Sequence, residues 1–328
     1  MKTIFMTTSQ FTNKLSLPVV AAPMFLISGP ELVISCCKNG IVGTFPALNQ
    51  RSSEGFEEWL IQIKEELSQW EKETGKTAAP FGVNLIVHGS NPRLEADLRL
   101  CVKHKVPLII TSLGAVSDVV DAVHSYGGIV FHDVIKKRHA QKAQEAGVDG
   151  LILVCAGAGG HAGTNNPMPF IRETKEFFKG TILLSGAMSS GQDVASALQM
   201  GADLAYMGTR FINTDESKAT DDYRDMIIEA GCSDIVYTAA ISGVSANFLG
   251  ASLNAAGITE EQMKAKVKID FGKEMNTEAK AWKTIWSAGQ GSATIKDSVP
   301  VTDLLNRMKA EFKTAIETQI ENLKKYSK

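Results

Sequence analysis

The sequence predicts a (β/α)₈ barrel carrying a smaller, mainly helical cap domain. Eight short apolar runs alternate with helical stretches over the first two-thirds of the chain. None of these runs alternates apolar with polar residues, as a strand with one wet face would, so both faces are covered and the sheet is parallel. Glycines and polar residues gather where the runs end. Eight such units favour a closed barrel over an open, doubly wound sheet, and barrel enzymes place their sites at those strand ends.

In chain order, the first strand occupies residues 17–22 and is interrupted by Pro23 and Met24. A helix over 29–39 follows, with Pro30 in its first turn and Gly40 at its end. Residues 41–45 form the second strand. Residues 56–73 form an amphipathic helix in which Phe56, Leu60, Ile63 and Leu67 recur at spacings of three and four. The third strand, 81–87, carries Asn84 inside an otherwise apolar run. Helix 92–105, strand 106–111 and helix 115–126 come next. The fifth strand, 129–134, ends in His132 and Asp133, ahead of helix 138–146. Strand 151–155 opens into a glycine-rich loop. Helix 170–178, strand 181–184, helix 191–200 and strand 204–207 complete the alternation.

The pattern then changes. Residues 1–212 are read as the barrel and 213–299 as a helical cap or substrate domain. Residues 300–328 form a C-terminal helix that returns to the barrel. The cap and this helix both offer surfaces for a homodimer, and the oligomeric state stays open.

Composition narrows the function. A chain of 328 residues with 44% hydrophobic and 21% charged residues is an ordinary soluble length and mixture. A net charge of -2 gives no basis for a nucleic-acid or anionic-membrane partner. No window reaches the roughly 18 apolar residues of a membrane span, and the first ten residues lack a signal-peptide core. The five cysteines form no CxxC or CxxH pair, which points to free thiols in a reducing cytoplasm and to no metal site.

The stretch that concentrates chemistry is LILVCAGAGGHAG, residues 151–163. It is a buried strand ending in a glycine loop with one ionisable side chain, His161. Gly157, Gly159 and Ala162 fit the loose dinucleotide pattern GxGxx[GA]. That pattern requires a helix to start at the loop, so that its first amides hold pyrophosphate. Here TNNPMP follows, and the next strand ends in Ser185-Gly186 instead of an acidic residue that would bind a ribose. The dinucleotide reading is rejected, and a turn with a surface histidine stands as the bland alternative.

Two further loops bear on the choice. Ser185-Gly186-Ala187-Met188 follows the seventh strand and Gly208-Thr209-Arg210 the eighth. Loops after strands seven and eight are the usual phosphate site of this barrel. Amides without side chains in the way, and the Thr209 hydroxyl, can each donate to a phosphate oxygen for about 1.5–3 kcal/mol apiece.

With these residues in view, the chain resembles the nitronate monooxygenases, FMN-dependent barrels formerly grouped as 2-nitropropane dioxygenases. The carriers are AAPM (21–24), FGVNL (81–85), RHAQKAQEAGVDG (138–150), AGGHAG (158–163), SGAM (185–188), MGTRF (207–211) and WSAGQG (286–291). The resemblance implies FMN as cofactor, with Pro23 and Met24 along the flavin ring and Asn84 hydrogen-bonded to the cofactor. Lys142 would reach it from the helix after the fifth strand. Gly159, Gly160, Gly186, Ala187, Met188, Gly208 and Thr209 would bind ring edge and phosphate, and His161 would be catalytic. These roles suit the residue types: a buried amide matches the ring's donor-acceptor edge, a nearby cation stabilises reduced flavin, and a histidine moves protons near neutral pH.

The implied reaction is oxidation of alkyl nitronates, such as propionate 3-nitronate, by dioxygen to a carbonyl compound and nitrite. An NAD(P)H-dependent flavin reductase of the same superfamily, acting on enoyl-acyl-carrier-protein or quinone, shares the Gly-Gly-His motif and remains the alternative. A non-catalytic flavin- or phosphate-binding barrel is the third reading. The chain departs from the pattern at Ala158, where many relatives carry glutamate, and at Val244, where many carry arginine. For His132, a satisfied core histidine is preferred to a catalytic one, and His139 is read as packing or capping.

Overall fold

In the computed structural model, which describes residues 11–114, 116–241, 243–263 and 285–327, eight parallel strands close into a barrel. They are β1 (Val19–Ala21), β2 (Val42–Pro46), β3 (Phe81–Ile86), β4 (Leu108–Ser112), β5 (Ile129–Val134), β6 (Gly150–Val154), β8 (Thr181–Ser185) and β9 (Leu204–Met207). The barrel closes where β9 pairs with β1, Tyr206 lying opposite Val20. Every expected barrel strand is present, because each apolar run is long enough to be covered on both faces and short enough not to continue as a helix.

The two faces of the strands feed two cores. Val20, Val42, Leu108, Ile110, Phe131, Ile152, Leu183 and Leu204 fill the barrel interior. Phe11, upstream of β1, inserts among them and meets Phe131 edge-on at 5.8 Å. Their alternates, among them Val19, Ile109, Val130, Leu151, Ile182 and Ala205, pack outward against the helices. That alternation is the period of two that points successive side chains to opposite faces of a strand.

Around the barrel run α1 (Pro30–Lys38), α2 (Ser53–Thr74), α3 (Leu94–His104), α4 (Ser117–His124), α5 (Lys137–Glu145), α6 (Pro167–Phe177) and α7 (Gly191–Met200). The apolar period over 56–73 marks the middle of α2 and not its start. The Ser52 side chain accepts from the Gly55 amide, so the helix begins at the cap. Likewise α6 begins at Pro167, a residue suited to the first turn, and not at residue 170.

After α8 (Thr209–Ile212) and α9 (Asp221–Glu229), the segment expected to be mainly helical forms two strands, β10 (Ile235–Thr238) and β11 (Ala246–Leu249). With β7 (Gly160–His161) they make a three-stranded antiparallel sheet in the order β10-β11-β7. Short helices α10 (Gly250–Ala255) and α11 (Glu260–Met263) follow. The chain ends in α12 (Val301–Tyr326), which packs on α7 and α1. Among the described residues no helix is long and apolar enough to cross a membrane.

Candidate active site

The loops after β8 and β9 line one cleft with Gly157, Gly159, Gly289 and Gly291. Gly159, Gly186, Ala187, Met188, Gly208 and Thr209 all lie in that lining, so six of the residues expected to bind a cofactor come together. Among the described residues, the amides of Ala187, Met188 and Gly208 donate to no protein acceptor. Met188 is buried and Gly208 half-buried, and amides in such places are costly unless water or a ligand accepts from them. Gly186 has φ +139°, and a Cβ there would lie 2.8 Å from the Ala156 carbonyl oxygen, so a side chain would be both strained and obstructed. Ala187 holds φ +56° despite its Cβ. The Thr209 hydroxyl accepts from the Gly289 amide at 2.9 Å, which leaves its own hydrogen to donate elsewhere.

The 289–291 segment is the part of the cleft that strand counting could not supply. It arrives from far along the chain and packs on the glycine loop: a Cβ on Gly159 would lie 2.8 Å from the Gly289 amide nitrogen. The resemblance of WSAGQG marks the segment, but nothing in its residue types assigns it a place.

His161 stands beside this cleft on β7, opposite Ala246 of β11. The small sheet holds it there. Asn247 donates its side-chain amide to the Ala158 carbonyl at 2.6 Å, and the Tyr237 hydroxyl donates to the Ala162 carbonyl at 3.1 Å. No helix starts at the glycine loop, which agrees with rejecting the dinucleotide reading. His161 is an exposed residue, yet the protein around it is dense enough to desolvate its ring. Desolvation pushes its pKa below the ordinary imidazole value, and the Asp133 carboxylate opposes that shift.

Asp133 is the functional candidate that sequence reasoning named at a strand end but did not use. It sits at the end of β5 and accepts from the Ser112 hydroxyl at 2.6 Å. Ser112 in turn accepts from the Asn84 side-chain amide at 2.9 Å, and Asn84 also donates to the Ile110 carbonyl at 3.3 Å. Burial raises the Asp133 pKa, while the Ser112 hydrogen bond, His161 and His139 hold it down. Its charge also adds to the burial that keeps the Tyr206 phenol neutral. Strands β3, β4 and β5 thus present a connected polar row beside His161. The signal for it was only that Asn84 interrupts one apolar run and that Ser112 and Asp133 stand at the ends of two others.

The remaining expected residues separate. Pro23 and Met24 follow β1, and Met24 reaches Gly208: a Cβ on that glycine would lie 3.7 Å from the Met24 sulfur. Gly160 sits on β7 with φ +65° and open space where a side chain would be. Lys142 is not brought to the cleft. Helix α5 buries Ala140 and Ala143 against the barrel, which turns Lys142 out to solvent. His132 is buried and shares a 2.8 Å hydrogen bond with the Thr111 hydroxyl. Burial, with a smaller contribution from His139, pushes its pKa down to about 4. It is a neutral core histidine. Among the described residues no group of His, Cys, Asp or Glu could hold a metal ion.

A closed parallel barrel with an amide-lined cleft after its last two strands, and a histidine on the flanking strand, places its polar groups where barrel enzymes carry their sites, with donors that suit an anion. Comparison with known proteins narrows the class. A model of the nitronate monooxygenase family matches residues 90–311, and this chain belongs to that family. A nitronate monooxygenase of Paraburkholderia phytofirmans is 24% identical, over 92% of this chain and 93% of its own. Among solved structures, FabK from Thermotoga maritima superposes with a TM-score of 0.80 at 20% identity, covering 96% of this chain and 99% of the other. A nitroalkane oxidase from Streptomyces ansochromogenes does so with a TM-score of 0.77 at 22% identity, covering 94% and 99%.

Proposed function

We propose that this protein binds FMN and oxidises alkyl nitronates with dioxygen, giving a carbonyl compound and nitrite. The observation that carries the reading is the meeting, on one barrel face, of an amide-lined cleft with His161 on the adjoining strand. The cleft fits the phosphate end of the cofactor. Its Ala187, Met188 and Gly208 amides have no protein acceptor among the described residues. Together with the Thr209 hydroxyl they form a donor set for a phosphate dianion. Gly159, Gly160 and Gly186 keep side chains out of the approach. Met24, lying against Gly208, would flank the ring with Pro23. Asn84 spends its amide hydrogens on Ser112 and Ile110, so what it offers the ring is its carbonyl oxygen. Lys142 has no part in this arrangement, since it points to solvent.

FMN supplies electron acceptance from the nitronate when bound. His161 provides the proton chemistry. With its pKa held below the ordinary imidazole value, the ring is neutral at neutral pH and accepts or donates a hydrogen bond at the substrate's nitro group. Asp133 stabilises the imidazolium form that appears if the ring takes a proton.

Purified protein is expected to be yellow and to release FMN on denaturation. The flavin-replete protein should consume dioxygen and release nitrite with propionate 3-nitronate. His161→Ala should keep the flavin and lose at least about 100-fold in kcat/KM, the usual size of a general acid-base contribution. No turnover by flavin-replete protein, combined with rapid anaerobic bleaching by NADH, would replace this reading with the NAD(P)H-dependent reductase.

A further inference from the structure

A polar layer closes the barrel interior at its mouth. Residues two apart on a strand share a face. On β5, Ile129 and Phe131 fill the interior, so Asp133 faces the same way, one step nearer the mouth. On β4, Leu108 and Ile110 set the same direction for Ser112, and on β9 Leu204 sets it for Tyr206. Tyr206 stands three strands further round the barrel and lines the cleft. The Asp133 charge bears both on Tyr206 and on His161 of β7. Asp133 therefore looks into the space that these two side chains flank.

The two oxygens of this carboxylate differ. Oδ2 accepts from the Ser112 hydroxyl at 2.6 Å, and Ser112 accepts in turn from Asn84 at 2.9 Å. Oδ1 accepts from no donor among the described residues. It is not sealed either, since Asp133 is half-buried and solvent reaches that oxygen. Holding Ser112 takes one oxygen, which fixes the orientation of the group and leaves the lone pairs of the other available. Protein nevertheless surrounds Asp133 densely enough to raise its pKa by desolvation, against the pull of Ser112, His161 and His139. A group that is crowded by protein and still open to solvent lines a concave site, and a carboxylate with a raised pKa is a stronger base than a free one.

Resting on the nitronate reading, we propose that Asp133 is the base that takes the α-proton from a neutral nitroalkane, so that the site forms nitronate as well as consuming it. In this step the α-carbon–hydrogen bond breaks and an O–H bond forms at Asp133 Oδ1. The electron pair of the broken bond passes into the nitro group, and nothing is oxidised or reduced. The neutral His161 ring donates a hydrogen bond to the nitro oxygen that gains charge. Substrate and carboxylate together carry one negative charge before and after the transfer. A preformed nitronate, by contrast, enters against the Asp133 charge, so the neutral nitroalkane is the better-matched substrate.

The test compares kcat/KM of flavin-replete protein on nitroethane and on ethyl nitronate prepared beforehand. Wild type should use both, and should use nitroethane deuterated at the α-carbon more slowly than the ordinary compound. Asp133→Asn preserves the shape of the side chain and an acceptor for Ser112. It should lower the nitroethane-to-nitronate ratio at least about 100-fold with flavin content retained, and should lower KM for the nitronate. Ser112→Ala, which lets the carboxylate rotate, should lower the ratio by less. Exchange of the nitroethane α-hydrogens with heavy water, followed by proton NMR without dioxygen, reads the proton transfer alone; wild type should accelerate it and Asp133→Asn should not. A wild type that oxidises the nitronate but neither oxidises nor exchanges nitroethane overturns the proposal and leaves the nitronate reading standing. An unchanged ratio in Asp133→Asn also overturns it, as does exchange lost in His161→Ala but kept in Asp133→Asn. Exchange that depends on Asp133 in a protein unable to oxidise the nitronate would support the base and remove the oxidation.

Discussion

At the scale of single residues, burial divides the histidines by task. His132 lies in the wall of the barrel with its pKa near 4, against 6.5 in an unfolded chain. Between those values the unfolded chain binds a proton that the folded one refuses, so stability rises with pH through the window and is lost as pH falls from about 6.5 toward 4. At 1.36 kcal/mol per pH unit, the loss is about 3 kcal/mol. His132→Gln should flatten that slope in urea unfolding midpoints measured between pH 4 and 7. His161 behaves differently because Asp133 counters its desolvation. Asp133→Asn removes the countering charge, and His161 then titrates at lower pH. The acid limb of the kcat/KM profile should shift toward acid while flavin content stays the same. An unmoved profile would show that Asp133 acts only on Ser112. The groups that bear on Asp133 are Ser112, His161, His139 and Tyr206, so the same titration in His139→Gln serves as the control.

At the scale of elements, the pieces that position the site are the least regular ones. A two-residue strand, β7, carries His161 and owes its place to β11, which is 85 residues further along at Ala246. No local pattern in GGH specifies a strand; its partner does. The long elements are the reverse case. The interval of α12 and the bounds of β5 and β9 follow from apolar periodicity and its punctuation alone, because helices and buried strands each impose one period on what they hide. The joint between α7 and α12 tests how tightly such elements fit. Gly191→Ala places a methyl against the backbone at Met308 and Phe312, which cannot yield as a side-chain tip would. The expected cost is about 3 kcal/mol in equilibrium unfolding, with α12 displaced. A cost below about 0.5 kcal/mol would mean that the helix can lift without loss.

At the scale of the whole molecule, one buried cation fastens the barrel to the C-terminal region. Arg210, next to the cleft residue Thr209, donates to the Asn213 carbonyl and to the Asp297 carboxylate, each at 3.1 Å, and to the Asp297 carbonyl at 3.2 Å. Arg307 of α12 grips the same carboxylate. Asp297→Ala leaves Arg210 buried without its counter-charge. The side chain of Asp297 is 36% exposed, so water recovers part of the loss and the expected cost is about 2 kcal/mol, below that of a fully buried pair. Denaturation in urea, read with flavin release, should show the two lost together, since the same residue stretch serves both the cleft and the joint.

The sequence by itself determined the barrel, its eight strands, the loops after the last two barrel strands and the candidate role of His161. Each of these is written locally, in apolar period, glycine placement or motif. Tertiary structure alone decided that 289–291 closes the cleft, that β11, backed by β10, pairs beside His161 in place of helices, and that the Asp133 charge bears on His161. It also removed Lys142 from the site, because helix phase against the barrel turns that side chain outward. The division has one physical reason. Local patterns fix which face of an element is buried, whereas which distant segment covers that face depends on packing in three dimensions, which nearest neighbours in sequence do not encode.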